Sequence, residues 1–231
     1  MKGFRISVAI GAAVVVAACA TTPAPETTQP AATPSRRISE DSLAKLEALY
    51  KARLDSSRMR FTPADVNFVT SMIAHHAQAI EMSNLVPDRT TSESMKILAG
   101  RIINAQNDEI SWMQRWLRDR RQPVPEVHVM EGRVMVHGAG DHTMHAPGML
   151  TPQQMGQLRD ARGTEFDRLF LTFMIQHHRG ATAMVKQLFA TDGAAQDEEV
   201  FKLAADVEAD QTSEIERMQL MLKALAGGGG L

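Results

Sequence analysis

One block of sequence occurs twice in this chain, and no other feature constrains the fold as strongly. Asp65, Phe68, Met72, Ile73, His75, His76, Ala79 and Met82 recur as Asp167, Phe170, Met174, Ile175, His177, His178, Ala181 and Met184, every pair 102 residues apart. A second block follows at an offset of 105. There Leu98, Ala99, Gln106, Glu109, Ile110 and Met113 return as Leu203, Ala204, Gln211, Glu214, Ile215 and Met218. The additional residues fall between the two blocks, where a loop tolerates insertion. In each block the apolar letters recur at helical spacing, so the repeat unit is a pair of helices. Two such hairpins of one ancestry pack most simply as a four-helix bundle. The expected fold is all-α, with no convincing strand.

Local signals place the helices. Thr62-Pro63-Ala64-Asp65 supplies a cap, a proline at the first helical position and an acid near the free N–H groups. That helix runs to about Asn84 and stops before Pro87. The next spans about Ser92 to Arg120. Thr151-Pro152-Gln153-Gln154 opens another with the elements of a capping box. Gly163-Thr164 marks a break, and Thr164 with Asp167 repeats the spacing of Thr62 with Asp65. This helix ends near Gly193, and the last covers about Asp197 to Ala226. The bundle domain is thus residues 39–226, with repeat one at 62–120, a connecting loop at 121–150 and repeat two at 151–226. A further helix leads in from Ser39, with Leu43, Leu46, Leu49 and Leu54 at roughly helical spacing. Residues 227–231 form a glycine tail.

The first residues address the chain to a compartment. Lys2 and Arg5 precede "ISVAIGAAVVVAA", a run too short to span a bilayer comfortably, which ends at "VAAC". This reads as a bacterial lipoprotein signal: a signal peptide over 1–18 and a lipidated Cys19. Residues 19–38, rich in Thr, Pro and Ala, form a semi-stiff tether. The other reading is an ordinary secretory signal in which Cys19 is incidental. Ala20 after the cysteine favours an outer membrane where the cell has one. The expected location is the cell envelope, facing the periplasm, with the lipid anchor as the only membrane contact. Loss of Lys2 and Arg5 takes the formal charge from −2 to −4. There is no basic stripe, which excludes nucleic acid as a partner. Cys19 is the only cysteine, so a soft-metal site has to use histidine and methionine.

At about 100° per residue, Met72, His75, His76, Ala79 and Met82 fall within an arc of about 120°, on the apolar face. On the second helix Gln106, Glu109 and Met113 share a face with Ile102. The repeat carries the same arithmetic to Met174, His177, His178, Met184, Gln211, Glu214 and Met218. The interior therefore holds four histidines, two glutamates, two glutamines and several methionines. Burying so many polar groups is costly unless they pair with each other or with a cation. Both readings stand: a hydrogen-bonded structural network, or a metal site built from facing helices. Imidazole together with thioether points to copper, Cu(I) in particular, and not to Mg²⁺, Ca²⁺ or zinc. The connecting loop is a second candidate. It carries His128, Met130, Met135, His137, His142, Met144, His145 and Met149, half of the chain's eight histidines.

The pattern "F…MI…HH…A…M" followed by "LA…I…Q..EI..M..WL" resembles the bacterial family known as domain of unknown function 305, from about Thr62 to Leu222. "GMLTPQQMGQL" and "FDRLFLTFMIQHHRGA" are especially similar to its second half. The resemblance implies a ferritin-like four-helix bundle, often exported, with some members implicated in periplasmic copper binding. It also implies that His75, His76, His177, His178 and the neighbouring methionines are the ligands. The second repeat departs from the first, with Gly180 and Ala183 in place of Gln78 and Glu81.

The leading expectation is a lipid-anchored protein that sequesters or hands on copper, the loop capturing the ion and the bundle holding it. Its partners would be the metal ion and a copper-accepting protein or a second copy of itself. The alternative is an envelope scaffold without metal. A di-metal oxidase is the weakest reading: the Glu-x-x-His motif of such sites is absent, and Glu109 and Glu214 are the only inward carboxylates. The chain is therefore not expected to be an enzyme.

Overall fold

The computed structural model describes residues 39–58, 60–130, 133–138 and 146–228. Cα packing divides the chain into residues 1–43 and residues 44–231; the first helix begins in the first unit, and every later element lies in the second. The signal peptide, Cys19 and the tether lie outside the described residues. In chain order the elements are α1 (Glu40–Arg58), α2 (Pro63–Asn84), α3 (Val86–Arg89), α4 (Glu93–Asp119), β1 (Glu126–Met130), β2 (Arg133–His137), α5 (Pro152–Asp160), α6 (Gly163–Phe189) and α7 (Glu198–Ala226). Among the described residues no helix is long and apolar enough to cross a membrane.

The two repeats are the hairpins α2–α4 and α6–α7, joined by packing of α2 on α6. One apolar cluster holds Phe68, Val69 and Met72 from the start of α2 with Met184, Val185 and Leu188 from the end of α6. The other holds Ala79 and Met82 from the end of α2 with Phe166, Phe170 and Met174 from the start of α6. The central helices thus run antiparallel, with the repeats related by a pseudo-twofold axis. α2 and α6 are buried on most faces, whereas α4 and α7 bury one stripe each.

The helix ends follow the local chemistry. Thr62 and Asp65 form a reciprocal capping box, with the Thr62 N–H donating to Asp65 Oδ2 at 2.7 Å. The other Asp65 oxygen accepts the Ala195 N–H at 2.7 Å, tying the start of α2 to the α6–α7 turn. Asp197 caps α7, and Thr151 with Gln154 caps α5. Thr164 does not play the part of Thr62: α6 begins at Gly163, and its N-cap Arg162 makes no side-chain cap bond.

One expectation needs correction. Residues 126–137 contain an antiparallel hairpin where no strand was foreseen. "EVHVM" and "RVMVH" alternate strictly, a period-two signal hidden by their length and unusual composition. In α1, Leu43, Leu46, Leu49 and Tyr50 are exposed, so that helix adds nothing to the core through them. The side chain of Leu54 lies outside the described set.

Candidate metal centre

The pseudo-twofold axis passes between equivalent residues, and that is where the histidines meet. His75 and His177 face each other with ring centroids 3.8 Å apart and planes tilted by 40°. His178 lies 6.2 Å from His177, centroid to centroid. All four histidines are fully buried. Above and below them lie the two apolar clusters. Met72, Met113 and Met184 belong to one; Met82, Met174 and Met218 belong to the other.

Each outer histidine is held by the following helix of its own repeat. The His76 Nε2–H donates to Glu109 Oε2 at 2.8 Å, and the His178 Nε2–H donates to Glu214 Oε2 at 2.6 Å. Both glutamates sit at the bundle surface with a minor part of each side chain exposed. The His75 Nε2–H donates to the Pro147 carbonyl at 2.9 Å. The Pro147 carbonyl can only accept, so the neutral His75 ring carries its proton on Nε2 and leaves Nδ1 as a bare lone pair. The Nδ1 atoms of His75, His76 and His178 have no hydrogen-bond partner, nor does either ring nitrogen of His177. Gln106 is buried with both amide atoms unpartnered, and Gln211 Oε1 is likewise unpartnered.

Burial keeps the inner histidines neutral. It is the main reason that the His75 pKa falls from 6.5 to about 3, with His76 adding to the effect and the Pro147 bond opposing it. His177 is driven well below 6.5, first by burial and then by His75, His178 and His76. The His75 backbone lies close enough to offset this in part, but outside hydrogen-bond geometry. Asp210, on α7 near both glutamates, is pushed up by burial and then by Glu109, Glu214 and Asp206. A neutral imidazole has its lone pair ready for a metal. Among the described residues, however, no three His, Cys, Asp or Glu side chains already form a metal-holding group.

The departures between the repeats now have a physical reason. A strap leading into α5 crosses the α2–α6 face. Gln78 clamps it, donating to the Leu150 carbonyl at 3.0 Å and accepting the Leu150 N–H at 2.7 Å. Glu81 pairs with Arg159 of α5. Gly180 stands where a Cβ would meet the Pro147 oxygen at 1.9 Å, so only glycine lets the strap pass. Cavities of about 310 Å³ and 700 Å³ flank the strap, and Pro147 lines both. Sequence reasoning missed Pro147 as the partner of His75, and nothing in the letters marks it.

Of the loop candidates, His128, Met130, Met135 and His137 lie on the hairpin. Met149 is half-buried in the turn before α5, its N–H donating to the Ala146 carbonyl at 3.2 Å. His142, Met144 and His145 lie outside the described residues.

Comparison with known proteins adds family and fold. Residues 65–222 match the family model described as Domain of unknown function (DUF305). No curated protein matches the chain. A DUF305 protein from Streptomyces coelicolor, assigned as secreted, is 31% identical, with 71% of this chain and 92% of that one covered and a TM-score of 0.56. A DUF305 fragment from Deinococcus radiodurans is 27% identical over 71% and 97% of the two chains, with a TM-score of 0.58. CopM in its Cu(I)-bound form is 27% identical over 69% and 95%, with a TM-score of 0.51. Its Cu(II)-bound and Ag-bound forms cover the same shares, at 29% and 27% identity.

Proposed function

Since the chain belongs to the DUF305 family, and CopM with copper or silver bound is among its structural neighbours, we propose that it binds copper through histidine and methionine and sequesters the ion or hands it on. The observation that carries this reading is the buried histidine layer. Four imidazoles fill the centre of the bundle, yet most of their ring nitrogens lack a partner. An orphaned buried polar atom costs about 1–3 kcal/mol. Stability alone does not account for keeping several of them. As ligand atoms for a soft ion they have a use, with the adjoining methionine clusters as the source of thioethers.

The layer is not a closed cage, so loading the ion requires the imidazoles to turn or thioethers to complete the set. Glu109 and Glu214 would orient His76 and His178 from outside, as carboxylates commonly do for ligating histidines. The role is binding and not turnover, because inward carboxylates are few. The N-terminal stretch ending at Cys19 supports export with a lipid anchor, and the secreted assignment of the Streptomyces relative supports export in general.

A second reading, a metal-free envelope scaffold, has its own support in the two His–Glu hydrogen bonds and in the lack, among the described residues, of a converged three-ligand group. His177 separates the two. Its nitrogens have no partner, so His177→Leu removes orphaned atoms and should leave the metal-free fold as stable as the parent, or more stable. Copper binding predicts that the same variant lowers Cu(I) affinity by about tenfold or more in competition with a chromogenic chelator. A variant with His75, His76, His177 and His178 all changed to Ala, checked by circular dichroism, should lose that site. Full Cu(I) affinity in His177→Leu combined with a clear loss of stability would favour the scaffold, and no binding by the parent would end the copper reading.

A further inference from the structure

The β1–β2 hairpin sorts its residues by chemistry. Its register pairs Glu126 with His137, His128 with Met135, and Met130 with Arg133, while Val127 faces Val136 and Val129 faces Val134. Directly paired residues share a face, and so do residues two apart along a strand. One face of the ribbon therefore carries Val127, Val134 and Val136, with Val127 and Val134 packed on the cluster at the start of α2. The other face gathers His128, Met130, Met135 and His137 on the solvent side. Met130 is 61% exposed and Met135 44% exposed. Gln114 of α4 donates to the Pro125 carbonyl at 2.9 Å and pins the base of the hairpin to the bundle.

Packing does not explain this outer face. Exposed methionine buries little there, and the residues suited to a solvated strand face are polar or β-branched. The two imidazoles stand diagonally across the strands with centroids 5.6 Å apart. With metal–nitrogen bonds of about 2.0 Å, each ring centroid sits roughly 3 Å from a shared ion, so two rings on one ion span a little under 6 Å. The hairpin pair has that spacing; the stacked His75–His177 pair, at 3.8 Å, does not. Met135 lies directly across from His128, and Glu126 holds the His128 Nε2–H at 3.2 Å, leaving Nδ1 to ligate.

We propose that the outer face of the hairpin is a second, preorganised site for a soft monovalent ion, Cu(I) or Ag(I), with His128 and His137 as paired imidazole ligands and Met135 and Met130 as thioethers. It rests on the copper-binding reading above and adds that the ion is first taken at the surface, ahead of the buried layer. Two imidazoles with thioethers favour a soft ion over zinc, and the one carboxylate on this face, Glu126, is engaged by the His128 Nε2–H. An exposed rim lets the ion leave again, as capture and transfer require.

The test follows methionine Cε methyl resonances of the whole protein while Ag(I) is added below one equivalent. Met130 and Met135 should shift first, before Met72 and Met174. In the surface variant His128→Asn with His137→Asn, which leaves the core untouched, that early shift should vanish while the core methyls still respond at higher Ag(I). Core methyls shifting first in the parent would overturn the surface site and leave copper binding by the bundle standing. An unchanged hairpin response in the double variant would overturn the paired-imidazole assignment. Silence from every methionine would remove both proposals together.

Discussion

Gly180 shows how much one position can carry. A side chain there would occupy the Pro147 carbonyl, the group that also accepts from His75. Alanine is a better helix former than glycine by about 1 kcal/mol, so local propensity favours Gly180→Ala. The clash is with backbone, which cannot swing aside as a long side chain would. The expected result is a net destabilisation of about 1–3 kcal/mol in urea unfolding, with faster hydrogen exchange at the Leu150 amide that Gln78 now holds. Unchanged stability and exchange would mean that the strap is not seated on α6.

At the scale of elements, the hairpins are locked where α4 meets α7. Arg120 is buried and donates to Asp197 and Glu199, while its guanidinium lies 4.4 Å from the Trp116 ring centroid. Asp197 also accepts from Trp116 and from the amides of Glu199 and Val200, so one carboxylate caps a helix and joins two. Removing the arginine leaves that buried carboxylate without its counter-charge. Arg120→Ala should therefore cost about 3–5 kcal/mol, seen as a lower urea midpoint with the slope unchanged. A loss below 1 kcal/mol would show that water reaches Asp197 and that the pair is not buried in solution.

For the whole molecule, the buried histidines couple stability to pH. His75 has a folded pKa of about 3 against 6.5 in the unfolded chain, and His177 is shifted the same way. Between those values the unfolded state binds more protons, so stability rises with pH. The contribution is complete above 6.5 and is lost as pH falls toward 3. Asp167 and Asp210, raised mainly by burial, act in the opposite sense, so the histidine slope should be read just below 6.5, above the range of ordinary carboxylates. Thermal unfolding of the metal-free protein should show a falling midpoint from pH 7 to 5, with a shallower fall in His177→Leu. A flat profile would mean that these imidazoles are not buried and neutral.

Much of this architecture was legible in the letters, and the reason differs by feature. Helix starts at Thr62, Ser92, Thr151 and Asp197 depend on a few adjacent residues, so sequence alone located them. The repeat determined two hairpins, and helical periodicity determined that His75, His76, His177, His178 and Gln106 face inward, whereas Glu109 and Glu214, also expected inside, reach the bundle surface. Contacts between distant segments were not legible. Antiparallel packing of α2 on α6 set His75 against His177, and only the folded chain brought Pro147 to His75 and Glu109 to His76. The exposed leucines of α1 make the same point from the other side, since periodicity says that a face is apolar but not whether anything covers it. The hairpin was missed because two short strands are stabilised by pairing and by the bundle beneath their valines, and neither is a local property. Sequence decided which side chains share a face; the tertiary structure decided what each face meets, because that depends on packing between residues far apart in the chain.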